Sequence, residues 1–155
     1  MLSRIKKEEE LLCVNFNLNG LSRQPNNLKE RMLSKLILDY SIDVLGCSEV
    51  NLNWSKLKQS EQWAERSAGW FENFYTSLAY NKEDEASTAC QRGGCLQLVR
   101  DKAAVSWIES GQDPTGLGRW TWTRHRGKHD VTLKIYTAYR TCVPNNKLGE
   151  GTIHK

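Results

Sequence analysis

The stretch Leu11-Leu12-Cys13-Val14-Asn15-Phe16, followed by Asn17-Leu18-Asn19-Gly20-Leu21, decides the fold of this 155-residue chain. Residues 11–16 form a short apolar run rich in strand-forming side chains. The Asn and Gly residues after it favour a turn with positive φ, so the run is predicted to end as a strand at this point. Everything that follows is interpreted from how the next segments pack against this strand.

Helical periodicity begins after the polar loop at residues 22–27. Asn26 or Asn27 is a plausible N-cap, because a short polar side chain can accept a hydrogen bond from the first helical turn. A second apolar run of strand length follows at residues 42–47. The predicted apolar stripe of the helix comprises Leu28, Met32, Leu36 and Tyr40, widened by Leu33 and Ile37.

Strand, helix and strand, with both strands apolar on both faces, predict an α/β unit with two parallel strands. The loops that follow these strands, at Asn17 and Glu49, should then lie at the same edge of the sheet. Further strands are predicted at residues 71–80, 93–99 and 103–111. The clearest alternation is a hairpin, residues 119–126 and 131–137, joined by Gly127-Lys128-His129-Asp130.

The composition indicates an ordinary globular domain, with 39% hydrophobic and 26% charged residues. No apolar run approaches the roughly 20 residues that cross a bilayer, and Met1–Glu10 lacks the apolar core of a secretory signal. We therefore expect an intracellular protein, nuclear or cytoplasmic, without a membrane partner. Five scattered cysteines with no C-x-x-C spacing argue against a zinc site or disulfide framework.

The net charge of +4 is concentrated in one segment. Residues 119–140 contain six basic residues and a single acid, Asp130. Such a segment attracts phosphates, and we expect Arg124, Arg126 and Lys128 to be the nucleic-acid-binding residues. A solubilising surface is the alternative explanation for the same charges.

Polar side chains at the ends of the two predicted parallel strands are the candidates for chemistry. Glu49 directly follows a buried run, where an isolated carboxylate is costly unless it binds a cation or a donor. Mg²⁺ prefers carboxylate and water oxygens and often takes only one or two protein ligands. Asn17 and Asn19 could orient a phosphate oxygen through their amides. The alternative is that the asparagines only form a turn and that Glu49 is a surface acid.

The order of these motifs resembles the opening of the endonuclease/exonuclease/phosphatase family. That family includes apurinic/apyrimidinic endonucleases, pancreatic deoxyribonuclease, inositol-phosphate phosphatases and the endonucleases of non-LTR retrotransposons. Its first signature, an Asn, one residue, an Asn or Asp and then Gly-Leu, is matched at residues 17–21. Its second, D-(I/V)-L-x-x-(Q/S)-E, is matched from Asp43 to Glu49.

Two later segments extend the resemblance over about residues 11–142. Gly93-Gly94 is similar to the family's glycine pair at the start of a central strand, and Thr137-Ala138-Tyr139-Arg140 is similar to the strand end whose Tyr contacts the scissile phosphate. Residues 113–122 and the following strands most resemble endonuclease-like open reading frames of eukaryotic mobile elements.

The resemblance implies a role for each matched residue. Glu49 would bind the catalytic Mg²⁺ or Mn²⁺, and Asn19 stands where some members carry an acidic residue that assists the metal. Asn17 would hydrogen-bond the catalytic aspartate or the phosphate, and Tyr139 would donate its hydroxyl to a phosphate oxygen. The implied substrate is a nucleic acid, with DNA favoured by the likeness to mobile elements.

The chain departs from the family pattern at its end, since the G-D-x-N and S-D-H segments that supply the catalytic Asp and His have no match. We therefore expect an α/β fold, the amino-terminal part of a four-layer α/β sandwich: a mixed sheet with a flanking helix, lacking most of the second sheet. Residues 1–10 are predicted to be a charged lead-in, 11–142 a partial domain and 143–155 a tail.

These departures leave three functions open. The first is a truncated Mg²⁺-dependent phosphodiesterase that is inactive alone. The second is a non-catalytic nucleic-acid-binding module, and the third is a protein-interaction module that self-associates through an uncovered sheet face. Both modules would derive from a mobile element.

Overall fold

The computed structural model of the chain describes residues 10–83, 85 and 87–140, so the predicted tail and all but the last residue of the lead-in lie outside the described part. Two short 3₁₀ helices, Trp54–Lys56 and Gln59–Glu61, precede the second α-helix. The helices are α1 (Leu28–Asp39), α2 (Trp63–Ser67) and α3 (Asp101–Ser106). The strands are β1 (Cys13–Asn17), β2 (Val44–Ser48), β3 (Phe74–Ala79), β4 (Cys95–Arg100), β5 (Trp107–Gln112), β6 (Trp120–Arg126) and β7 (Thr132–Ala138).

The seven strands form two sheets. The first has the order β1-β2-β4-β3, and the second has the order β5-β6-β7. β1 and β2 are parallel, with Asn17 opposite Ser48, and every other pairing is antiparallel. The predicted parallel pair and the predicted hairpin are therefore both confirmed, and so is a mixed sheet with a flanking helix.

Asp43 explains why the parallel pairing begins where it does. Its side chain is buried, and one carboxylate oxygen accepts the backbone N–H of Leu12 at 2.7 Å. The N–H groups of Asp43 and Val44 in turn donate to the carbonyl of Leu12 at 3.0 and 3.1 Å. A carboxylate buried in this way is stabilised by the donors it receives, and it ties the start of β1 to the start of β2.

Helix α1 starts as predicted but buries a different face. The side chain of Asn27 accepts the N–H of Glu30, which confirms Asn27 as the N-cap. Leu33 and Ile37 face the sheet, whereas Leu28 and Met32 are 65% and 63% exposed. The predicted stripe was therefore wrong in its centre, because a buried ion pair at Glu30 turns the helix so that residues 30, 33 and 37 face inward.

The core lies between α1, the loop after β2 and one face of the first sheet. Trp54 and Trp63, both buried, pack with Leu45, Cys47 and the aliphatic side chains of β4. The predicted strand at residues 103–111 was wrong in its first half, because Asp101–Ser106 forms α3 and the strand begins only at Trp107. Ala103 is buried against Val99, and this contact holds α3 on the other face of the sheet.

The second sheet packs on that other face with its strands aligned to the first. A Cβ atom on Gly46 would lie 2.2 Å from the hydroxyl of Thr137, so only glycine lets β7 come this close to β2. Gln97 donates to Thr137 Oγ1 at 2.9 Å, and Ser77 hydrogen-bonds Thr121. The contact is therefore mostly small and polar, and three strands of the second sheet cover most of the face that was predicted to be uncovered.

The ion pair between Glu30 and Arg66 is the main polar anchor of α1. Both side chains are at most 1% exposed, and their N–O distance is 2.8 Å. Arg66 also donates to three backbone carbonyls, those of Ser22, Arg23 and Glu61. The pair therefore joins α1 and α2 to the loop that follows the first strand.

Breaking this pair should destabilise the fold strongly. Glu30→Gln leaves the Arg66 charge buried without a counter-ion, which costs about 3–5 kcal/mol. Urea unfolding followed by circular dichroism measures the loss. The matched control is Asp39→Asn, which breaks the exposed Lys35–Asp39 pair and should cost less than about 1 kcal/mol. Equal losses in the two variants would contradict this prediction.

His125 is a buried neutral histidine between α3 and β6. Its ring is 1% exposed, and Nδ1 lies 2.9 Å from the carbonyl of Ala103, which requires the proton on Nδ1. Nε2 then accepts from the hydroxyl of Thr123, also at 2.9 Å. Burial lowers the pKa of His125 below its ordinary value, although the Ala103 carbonyl partly opposes this shift.

This histidine should make stability depend on pH below neutrality. The pKa is lowered in the folded state, so below about pH 6.5 the unfolded chain binds a proton that the folded chain does not, and stability falls. The loss is at most about 1.4 kcal/mol per pH unit below that value. Urea unfolding at pH 7.5 and 5.5 should show a larger drop for the wild type than for His125→Gln. An identical pH dependence would contradict the prediction.

Candidate functional site

Four chain segments end or begin at one edge of the molecule. β1 and β2 are parallel and end at Asn17 and Ser48, which are paired. Cys95, the first residue of β4, also pairs with Ser48, so Gly93 and Gly94 lie at the same edge. β7 joins them there, because the ring of Tyr139 packs on Gly93. The predicted meeting of the Asn17 loop and the Glu49 loop is thus observed.

Hydrogen bonds between backbones connect the two loops. Leu18, Gly20 and Leu21 donate their N–H groups to the carbonyls of Ser48, Glu49 and Val50 at 2.8 to 2.9 Å. Glu49 has a φ of 53°, in the left-handed region that a non-glycine residue with a long side chain rarely adopts. The loop bonds therefore maintain a conformation that costs about 1–3 kcal/mol.

The Glu49 carboxylate has an unusual environment. The residue is half-buried, and its side chain makes no hydrogen bond or ion pair with any residue in the described part of the chain. A partly desolvated carboxylate without a donor is unfavourable. Such a group is suited to bind a cation that arrives with its own water ligands.

Asn17 and Asn19 both face solvent beside Glu49, but they differ in role. The side-chain oxygen of Asn17 accepts the N–H of Asn19 at 2.9 Å and so shapes the turn, in which Asn19 has a φ of 45°. The turn explanation for Asn17 thus holds for its oxygen. Lys29 supports the same turn by donating to the carbonyls of Leu18, Asn19 and Gly20.

The glycine pair has a clear structural reason. Gly93 and Gly94 have φ values of 86° and 81°, and a Cβ on Gly93 would lie 2.8 Å from the Tyr139 ring. Tyr139 is held from the other side, because its N–H donates to the carbonyl of Arg119 at 2.7 Å. The glycines thus let the Tyr139 ring lie against the start of β4.

Asn51 is a residue of the site that the sequence analysis missed. Its N–H donates to the carbonyl of Gly93 at 2.7 Å, and its side-chain oxygen accepts the N–H of Gly93 at 2.8 Å. Its side-chain nitrogen lies 3.5 Å from where a Cβ of Gly20 would be. Asn51 therefore joins three of the four segments. An asparagine two residues after Glu49, in a segment without periodicity, was the available signal.

The predicted nucleic-acid-binding residues lie away from this edge. Arg124 is near the far end of β6 and pairs with Glu109 at 3.0 Å. Arg126 is exposed at the last position of β6, and Lys128 is exposed in the hairpin turn. Because a strand rises about 3.3 Å per residue, the length of β6 separates these cations from Tyr139.

The chemistry of the residues present limits what the edge can bind. Within residues 10–83, 85 and 87–140, no group of three or more His, Cys, Asp or Glu side chains could hold a metal ion. One carboxylate flanked by amides still fits Mg²⁺ or Mn²⁺, which keep several waters and take few protein ligands. Burial raises the pKa of Cys47 and of Cys95 to about 12, so both thiols stay protonated and are poor nucleophiles.

Comparisons with known proteins connect this edge to a fold. No family model and no curated protein matches the sequence. Among solved structures, the catalytic domain of Xenopus laevis APE2 is similar, with a TM-score of 0.56 and 12% identity over 85% of this chain and 46% of that one. An AP endonuclease from Archaeoglobus fulgidus has a TM-score of 0.53 and 11% identity over 84% of this chain and 41% of that one.

A third solved structure carries the family name itself. It is an endonuclease/exonuclease/phosphatase family protein from Leptotrichia buccalis, with a TM-score of 0.53 and 10% identity over 84% of this chain and 53% of that one. The chain therefore spans about half the length of the structures it matches. At these identities the likeness concerns the fold, and it confirms the resemblance at that level. The described chain has the fold of the amino-terminal part of the endonuclease/exonuclease/phosphatase proteins.

Proposed function

We propose that this chain is the amino-terminal part of a metal-dependent phosphodiesterase domain that acts on DNA. The half-buried Glu49 carboxylate, without a polar partner among the described residues, is the observation that carries the proposal. Its fold neighbours are described as AP endonucleases, which supports a nucleic acid as the substrate. The sequence of residues 113–122 supports an origin in a mobile element, and nuclear or cytoplasmic localisation fits that origin.

Each residue of the edge has a proposed part in binding the substrate. Glu49 would bind Mg²⁺ or Mn²⁺, with Asn19 contributing at most a neutral amide oxygen. When bound, the metal would stabilise the charge that develops on the phosphoryl group and on the leaving oxygen. The amide nitrogen of Asn17 would donate to a phosphate oxygen, and the hydroxyl of Tyr139 would donate to another. These groups bind and orient, and none of them is a base that could activate water.

We therefore propose that the described residues supply metal and phosphate binding but not general-base catalysis. A general base for water attack is usually a carboxylate or histidine within hydrogen-bond reach. Glu49 is the acidic residue of the edge, and a carboxylate bound to a metal is not available as a base. The chain by itself is expected to bind its substrate without cleaving it.

Removal of the Glu49 charge tests the metal site. Glu49→Gln should weaken Mn²⁺ binding at least tenfold, because the amide keeps the shape and removes the anionic ligand. The measurement is titration of the free Mn²⁺ signal by electron paramagnetic resonance. Glu109→Gln, which removes a carboxylate remote from this edge, is the matched control and should bind like the wild type.

Two outcomes would contradict the proposal. Unchanged Mn²⁺ binding by Glu49→Gln would remove the metal site from this edge. Mg²⁺-dependent nicking of plasmid DNA by the chain alone would contradict the proposed lack of cleavage. If such nicking were lost in Glu49→Gln, the phosphodiesterase assignment would stand and only the inactivity would be wrong.

A second candidate function is nucleic-acid binding without catalysis, favoured by the exposed cations of β6 and the hairpin. In this proposal Arg126 and Lys128 contact the phosphate backbone. Arg124 contributes less, because Glu109 already compensates part of its charge. The affinity would then be dominated by counterion release, whatever the sequence of the nucleic acid.

Charge reversal tests this second function. Arg126→Glu should lower the affinity for a double-stranded DNA oligonucleotide at low salt and should reduce the slope of log K against log salt by about one or more. Fluorescence anisotropy between 50 and 200 mM NaCl provides both quantities. The control is Arg31→Glu on the exposed side of α1, which should change binding little. Equal losses in the two variants would indicate a general charge effect and reject the assignment.

A further inference from the structure

The two sheets differ in width, and the difference leaves a step on the surface. The first sheet has four strands and the second has three. The strands of the second sheet pack on β2, β3 and β4, with β7 above β2. β1, the edge strand next to β2, therefore has its inner side uncovered. The inward-facing residues of β1, namely Cys13, Asn15 and Asn17, are exposed, whereas Val14 and Phe16 pack in the core.

The wall of this step is the outer edge of β7. Tyr139 and Arg119 form a hydrogen-bonded pair, so the alternate positions along β7 also bond to β6. The positions between them point their N–H and C=O groups away from β6. These outward groups belong to Thr132, Lys134, Tyr136 and Ala138, and no strand among the described residues pairs with them.

β7 lacks the devices that normally protect an edge strand. β5, at the opposite edge of the same sheet, has a register shift between Trp107 and Glu109. β7 pairs without a shift over all of its seven residues and contains no proline. Its lysine would be the remaining protection, but Lys134 Nζ lies 3.5 Å from the centre of the Trp122 ring, on the outer face of the sheet.

Apolar side chains border the same edge on both faces. On the inner side Leu133 is 46% exposed, and on the outer side Tyr136 is 55% exposed beside Trp122. Seven regular residues with outward amides, bordered by such side chains, form a template for an added strand. The floor of the step at Asn15 offers a polar side chain directly below.

We propose that an extended segment of another polypeptide adds to the edge of β7 and lies over β1, extending the second sheet to four strands. Its inward side chains would be small or aliphatic, to fit above Cys13 and Asn15 and beside Leu133. Its outward face would carry an acidic residue beside Lys134, because opposite charges on neighbouring strands attract. The partner is therefore a protein strand with alternating aliphatic and polar residues and a central acid.

A second copy of this chain does not fit the step. If two β7 edges paired around a twofold axis, the β7 strand of each copy would lie above β1 of the other. The β1 strand of the second copy would then have to lie beneath β7 of the first, where β2 already packs with Gly46 against Thr137. The space is one strand wide, which favours a single strand from a partner of different structure.

A synthetic peptide tests the proposal directly. The probe is the blocked nonapeptide Thr-Val-Thr-Val-Glu-Val-Thr-Val-Thr, added to the ¹⁵N-labelled full chain without divalent metal. Binding should slow hydrogen exchange at the four outward amides at least tenfold, as measured by nuclear magnetic resonance. The same peptide N-methylated at alternate residues along its pairing edge should not bind, because it cannot complete the ladder.

Two variants at one position separate the backbone from the side chain. Lys134→Pro removes an outward N–H while sparing the bonds to β6, so it should weaken peptide binding at least tenfold. Lys134→Ala keeps that N–H and should change binding by no more than about threefold. Circular dichroism shows whether each variant folds. The N-methylated peptide keeps the test decisive if the proline variant does not.

Several results would overturn the proposal. These are the absence of slowed exchange with the peptide, equal binding by the N-methylated peptide, or equal binding by a folded Lys134→Pro variant. Outward amides already protected in the chain alone would show that another part of the chain or a second copy covers the edge, and sedimentation distinguishes the two. Glu49→Gln should bind the peptide like the wild type, so failure of the metal site leaves this test unaffected.

Discussion

The parallel pairing of β1 with β2 is the constraint on which the rest of the structure depends. Parallel neighbours cannot be joined by a tight turn, so the chain must cross back over the sheet, and α1 makes that crossing. The helix then covers one face of both strands. The same pairing brings Asn17 opposite Ser48, which makes the loops of Asn17 and Glu49 neighbours. Fold and candidate site therefore have a single origin in this pair of strands.

The contact between the sheets transmits that arrangement to the last strand. Gly46 lies in the middle of β2, and its missing side chain is where Thr137 packs. With β7 aligned above β2 at this point, the chain two residues later brings Tyr139 over Gly93. Gln97 reinforces the alignment with hydrogen bonds to the Ile135 carbonyl and the Thr137 hydroxyl. A polar interface of this kind specifies register better than aliphatic packing, because each donor must meet its acceptor.

Much of this architecture could be predicted from local sequence patterns. The apolar run before Asn17, the Asn27 cap and the alternation in the hairpin reflect interactions between residues close in the chain. The buried face of α1 could not be predicted in this way. Glu30 is polar and periodicity assigns it to solvent, yet its partner Arg66 lies in a different helix. Only the tertiary fold shows that this carboxylate is compensated and that Leu28 and Met32 are left outside.

The candidate site was predictable where it depends on strand ends and unpredictable where it depends on loop conformation. Strand ends placed Asn17 and Glu49 together. Asn51 was missed because its importance comes from two hydrogen bonds to Gly93, in a loop whose path no periodic pattern indicates. The basic residues were predicted from charge alone, which carries no information about position, and they lie at the other end of β6.

Backbone strain at this edge argues that the edge is more than a set of turns. Asn19, Glu49 and Asn51 all have left-handed φ angles, of 45°, 53° and 60°. Asparagine tolerates this conformation because its side chain can bond locally, but glutamate gains no such compensation. The chain therefore maintains Glu49 against both backbone strain and partial burial without a partner for its charge among the described residues. Departures from local stability that coincide at one position are typical of functional sites, and a bound cation would compensate the charge that the described residues leave unpaired.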